Sequence, residues 1–105
     1  MSASTDEGAD QDFVIAWPDP EFELVLRKPV EHADETITSV MLREPTGGEW
    51  EEIFAQPEKL RRRYAVSRVG GIPMAVAAKI GIGDLVRGEA YLNSFFEVGL
   101  VIATK

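Results

Sequence analysis

The junction Glu44-Pro45-Thr46-Gly47-Gly48-Glu49 decides what can lie on either side of it. Pro45 disfavours helical geometry at Glu44 and so ends any extended run that precedes it. Thr46 and Glu49, three residues apart, have the form of a capping box. The threonine hydroxyl accepts from the Glu49 amide and the Glu49 carboxylate accepts from the Thr46 amide, so two donors that a helix start leaves open are satisfied. A helix therefore begins here, with Trp50, Ile53 and Phe54 opening an apolar stripe. Glu49, Glu51 and Glu52 sit at the positive end of its dipole.

Upstream of the junction the period is that of strands. In the run from Phe22 to Val30, Phe22, Leu24, Leu26 and Val30 share one face, with Glu23 and Arg27 on the other. Lys28 interrupts the apolar face, and Pro29 cannot donate to a ladder, so this run reads as an edge strand. The polar group His32 to Glu35 makes the reversal. Thr36 to Arg43, rich in β-branched residues, returns antiparallel. In the return strand Val40 and Leu42 share one face while Ile37 and Met41 share the other, which predicts a bulge or a strand covered on both sides. Phe13 to Trp17, stopped by Pro18-Asp19-Pro20, is a candidate for a third short strand. Its alternative is an aromatic anchor for a partner, with Trp17 as the contact.

Downstream, short helices follow one another. The first is expected to run to about Gln56, and Pro57 can start the next, in which Leu60 and Tyr64 lie at i, i+4 among Arg61, Arg62 and Arg63. Three consecutive arginines spread around a helix rather than forming one stripe, so they read as a solvated or self-pairing face. Gly70-Gly71 breaks the helix, and Pro73 restarts one over Met74 to Ile80. Gly81-Ile82-Gly83 punctuates again, with Asp84 expected as the N-cap of the last helix. Leu85, Leu92, Phe95, Phe96, Gly99 and Ile102 carry that helix's stripe, widened by Tyr91, Val98 and Val101. It is expected to be the longest and most apolar element, covering more than a thin domain can enclose. The fold class is therefore α+β: an N-terminal hairpin followed by three to four short helices.

A chain of 105 residues is one domain by size. Residues 1–12, acidic and without a large apolar residue after Met1, read as a disordered leader, and residues 13–105 as the single α+β domain. There is no cysteine, which excludes disulfides and a catalytic thiol. No signal peptide or bilayer-length apolar span is present, so a cytoplasmic protein is expected. Residues 1–58 carry 3 basic against 15 acidic groups and residues 59–105 carry 8 against 3, which recovers the net charge of −7. General nucleic-acid binding is disfavoured by that balance; complementary faces of one domain, or steered association with a partner, fit it. His32 stands in the hairpin turn without converging partners, and no serine has a triad context, so no enzyme and no cofactor or metal is expected.

Leu24-Val25-Leu26-Arg27-Lys28-Pro29-Val30, the turn, and Ile37 through Leu42-Arg43-Glu44-Pro45-Thr46-Gly47 together resemble the tail assembly chaperone family of Mu-like long-tailed phages. Its members open with a strand ending in a basic-Pro pair and reach an Arg-Glu-Pro-Thr-Gly-like junction. Ile82-Gly83-Asp84, followed by a helix carrying Phe95-Phe96, is similar to that family's closing segment, so the resemblance runs from about Phe22 to the end. It implies a non-catalytic protein of the host cytoplasm that binds the tape measure protein, assists assembly of tail tube subunits around it, and forms a homo-oligomer. Trp17, Leu92, Phe95 and Phe96 are the expected partner-binding residues. Two other readings are a minor structural virion protein and a small regulator touching nucleic acid through Arg61 to Arg63.

Overall fold

A computed structural model describes residues 16–103, with side chains to residue 98. The acidic leader and most of the candidate third strand, Phe13 to Ile15, lie outside the described residues. Ala16 to Asp19 take no regular structure, and the sheet among the described residues has two strands. Strand β1 spans Glu21–His32 and β2 spans Glu35–Arg43, joined by a two-residue turn at Ala33 and Asp34. Both turn residues have positive φ, 51° and 65°, the hand that matches the twist of a hairpin. Four helices follow: α1 Gly47–Phe54, α2 Glu58–Gly70, α3 Met74–Ala77 and α4 Ile82–Ala103, the longest.

The hairpin is regular from Glu21 opposite Arg43 to Val25 opposite Ser39, and again from Val30 opposite Ile37 to the turn. Between these stretches residues 26–29 of β1 face Thr38 alone. The expected bulge is therefore real but lies in the first strand, where Pro29 would have broken a ladder in any case. The irregularity also changes the facing of β2. Ile37 packs against the core, while Met41, its expected companion, stays exposed.

The bulge leaves the Arg27 amide without a ladder partner, and side chains from α4 and from the turn after α3 take this and other outward backbone groups along β1. The Arg27 amide donates to Asp84 Oδ2 at 2.9 Å, Arg87 donates to the Val25 carbonyl at 2.6 Å, and Lys79 donates to the Glu31 carbonyl at 3.0 Å. Side chains thus complete the outer edge of β1 much as a third strand would. Asp84 is not the N-cap expected of it. The Leu85 amide bonds to the Gly81 carbonyl at 3.0 Å, so Gly81 holds the cap position and Asp84 sits inside the first turn, fully buried.

Leu24, Leu42, Val66, Val76 and Leu92 are the largest fully buried apolar side chains or nearly so, and they come from both strands and three helices. Helices α2 and α4 approach the hairpin closely because each presents a glycine to it. A Cβ at Gly70 would overlap the Val40 Cγ1, and one at Gly88 would lie 3.1 Å from Leu24 Cδ2 and 3.3 Å from both Leu42 Cδ1 and Val66 Cγ2. Gly71, at φ 68°, ends α2 in the left-handed conformation. Helix α3 stops at Ala77 rather than reaching Ile80, because the chain tightens into bonds from Lys79 to Val76 and from Ile80 to Ala77.

Gly70→Ala is expected to cost about 2 kcal/mol through overpacking against Val40, and Gly71→Ala about 1 kcal/mol through φ strain alone. Denaturant unfolding of both variants checks the order; equal, small losses would contradict the close approach of α2.

Candidate functional site

The orientation of α1 is set by a buried carboxylate. Thr46 caps the helix as its sequence implies: the Glu49 amide donates to Thr46 Oγ1 at 3.1 Å and the Thr46 amide donates to Glu49 Oε1 at 2.9 Å. Glu49 does more than close the box. Arg43, at the end of β2, holds it with two bonds of 2.8 and 2.7 Å, and Arg68 of α2 reaches it at 3.0 Å while bonding Glu52 at 2.8 Å. The Arg43 hydrogen bonds are the main cause that lowers the Glu49 pKa to about 2, against the opposing effect of burial and with help from the Thr46 amide and the charge of Arg68. One carboxylate therefore ties the hairpin, α1 and α2 together, and the acidic first half meets the basic second half here.

So fixed, α1 turns one side to the core and another outward. Ile53 is buried, while Trp50 is half-buried and Phe54, one turn on, is 49% exposed. The two rings meet edge to face at 5.0 Å. Phe96 of α4, 50% exposed, stacks on the other side of Trp50 at 5.7 Å with the planes 19° apart. The result is an aromatic ridge of Phe54, Trp50 and Phe96, with a groove on each flank. The larger groove, of about 400 Å³, runs between α1, α2 and α4 and is bounded by Ile53, Phe54, Arg61, Arg62 and Glu89. The smaller, of about 210 Å³, lies between the Pro45-Thr46-Gly47 junction and Phe95. Trp50 and Leu92 line both.

Two of the three consecutive arginines build the wall of the larger groove. Arg61 lies over the Phe54 ring at 5.0 Å and donates to the carbonyls of Gln56 and Phe54 at 3.0 and 3.2 Å. Arg62 crosses from α2 to Glu89 of α4 at 2.7 Å.

Of the residues chosen from sequence, Leu92, Phe95 and Phe96 come together, and Trp17 stands apart. Leu92, 2% exposed, forms the groove floor rather than a protruding contact. Phe95 is half-buried and meets Tyr91 edge to face at 5.3 Å, and Tyr91 in turn stacks on Phe22 at 4.9 Å. Trp17 is 57% exposed and lines neither groove; nearby, the Asp19 carbonyl accepts from the Tyr91 hydroxyl. Sequence reasoning assigned Trp50 and Phe54 to the helix stripe alone. Their i, i+4 spacing on a helix of 8 residues with Ile53 already facing the core was the available signal.

His32 ends β1 opposite Glu35, half-buried, and among the described residues no group of three metal-ligating side chains converges. Among those residues no helix is long and apolar enough to cross a membrane. Comparison with protein-family models, curated proteins and solved structures finds no match to the chain.

The lowered Glu49 pKa gives a pH dependence of defined sign. Because the folded value lies below that of the unfolded chain, the contribution is complete above about pH 4.5 and is lost as pH falls towards about 2. With Arg43 and Arg68 both well exposed, the loss is expected to be about 1–2 kcal/mol after allowing for solvent screening. Unfolding measured across that window should show a component missing in Glu49→Gln; the same acid dependence in both proteins would contradict the assignment.

Proposed function

We propose that the protein is a non-catalytic assembly chaperone that binds the tape measure protein, holding an apolar face of that filamentous client in the grooves beside the Trp50 ridge. The observation that carries this reading is the stacked pair Trp50 and Phe96 with Phe54 beside it, two of the three rings half exposed. Aromatic side chains left at the surface in a cluster, over a buried aliphatic floor, are typical of contact sites rather than of solvated surface. Two grooves separated by a ridge suit an amphipathic helix, whose side chains at i, i+3 and i+4 fall into adjacent depressions. The likeness of the Leu24–Val30 strand and the Arg43–Gly47 junction to the tail assembly chaperones of Mu-like phages supplies the identity of the client. Action in the host cytoplasm, assistance to tail tube subunits and homo-oligomer formation belong to the same proposal.

The reading as a nucleic-acid regulator is weakened by the same geometry. Arg61 is bonded to the Gln56 and Phe54 carbonyls and Arg62 is paired with Glu89, which leaves Arg63 alone of the triplet without an intramolecular hydrogen bond or ion pair among the described residues.

Co-expression with a candidate tape measure protein is expected to yield a soluble complex. Phe96→Asp, at an exposed position, should weaken it at least tenfold, about 1.4 kcal/mol, with the far-UV circular dichroism unchanged. Trp17→Ala, at a residue that lines neither groove, should have little effect. Failure of the wild-type pair to co-purify, or indifference to Phe96→Asp, would overturn the proposal.

A further inference from the structure

Phe54 is half exposed, yet its ring is held from two sides. Trp50 meets it edge to face at 5.0 Å, and the Arg61 guanidinium lies over it at 5.0 Å. The second contact does not come from α1 itself. That helix has no basic residue in its last turn, and the carbonyls at a helix end need donors from elsewhere. Arg61, near the start of α2, supplies them. Its Nε donates to the Gln56 carbonyl at 3.0 Å and a terminal nitrogen donates to the Phe54 carbonyl at 3.2 Å, so the turn between α1 and α2 is gripped on both sides of Ala55. The planar fork of a guanidinium can bond two acceptors while its face rests on a ring, which the compact charge of a lysine cannot do.

We propose that Arg61 is a positioning residue of the client groove, fixing the end of α1 and the Phe54 ring before the client arrives and acting through that ring rather than by its charge. Phe54 and Arg61 both line the larger groove. A surface ring free to change rotamer must be ordered when a partner binds, and that ordering opposes association. A ring clamped between Trp50 and Arg61 has lost the freedom already in the free protein. The inference rests on the proposed client binding at the Trp50 ridge and deepens it. It also gives the first of the three consecutive arginines a part in the site, where the sequence alone placed it on a solvated or self-pairing face.

The test is the affinity of the full chain for the candidate tape measure protein across Arg61 and Phe54 variants. Arg61→Ala is expected to weaken the complex about fivefold, the factor implied by ordering one ring on binding. The loss should be the same at about 0.05 and 0.5 M salt, because no charge on the client is involved. Arg61→Lys, which keeps the charge but not the fork, should lose most of the same factor. In a Phe54→Ala background, Arg61→Ala should change the affinity by less than about twofold, since its effect passes through the ring. A second readout needs no client. In NMR spectra of the free protein the Arg61 Nε proton should exchange slowly, and its resonance should move downfield when Phe54→Ala removes the ring current. Full rescue by Arg61→Lys, a loss confined to low salt, equal losses with and without the Phe54 ring, or an Nε resonance indifferent to Phe54→Ala would each overturn the proposal. Any of these with Phe96→Asp still weakening the complex would leave the groove reading standing, whereas failure of the wild-type pair to associate would remove both.

Discussion

The carboxylate of Asp84 is the group on which the arrangement of the hairpin against the last helix depends. A strand that bulges over residues 26–29 presents backbone donors the partner strand cannot reach, and a buried amide without an acceptor costs as much as several kilocalories per mole. Asp84 accepts from the Arg27 amide, while Arg27 and Arg87 offset its charge at 3.4 and 2.7 Å. Burial alone would raise its pKa. The Arg87 guanidinium and the Arg27 amide outweigh burial and hold it below the ordinary aspartate value. The bulge, the start of α4 and the covered edge of β1 are thus consequences of one another.

Glu49 plays the matching part at the other end of the hairpin, and the two acids divide the work. Asp84 secures α4 to β1, and Glu49 secures α1 and α2 to β2. Between these two fixed points the first and last helices are brought alongside each other, which is how Trp50 and Phe96, far apart in the chain, come to stack. The charge asymmetry between the halves is partly spent in this way, through Arg68 on Glu49 and Glu52. Surface pairs of this kind add little individually; a shared, buried carboxylate with a backbone amide among its donors adds more.

The parts of the fold legible in the sequence were those governed by local chemistry. Proline before a Thr-x-x-Glu box gave the start of α1, alternation gave both strands, and paired glycines gave the end of α2. What stayed hidden depended on contacts between distant segments. Asp84 after a glycine looks like a cap, and only the position of the β1 bulge reveals that its carboxylate has a strand amide to serve instead. The pattern of β2 puts Ile37 and Met41 on one face and signals a bulge or a second covered face, but not that the irregular register lies in β1 and leaves Ile37 against the core with Met41 exposed. The site followed the same rule: Phe95 and Phe96 were visible on the α4 stripe, whereas the role of Trp50 required knowing which side of a short helix the hairpin leaves uncovered.

Two buried acids hold the frame, and a half-exposed aromatic ridge lies across its first and last helices. The arrangement rests on Asp84 serving a β1 amide that the partner strand does not reach, and native-state hydrogen exchange at the Arg27 amide addresses that most directly. The account predicts that this amide is protected as well as ladder amides such as Leu24 in the wild type, and exchanges at least 100-fold faster in Asp84→Ala while Leu24 remains protected. An Arg27 amide that exchanges freely in the wild type, or is equally protected in the variant, would contradict it.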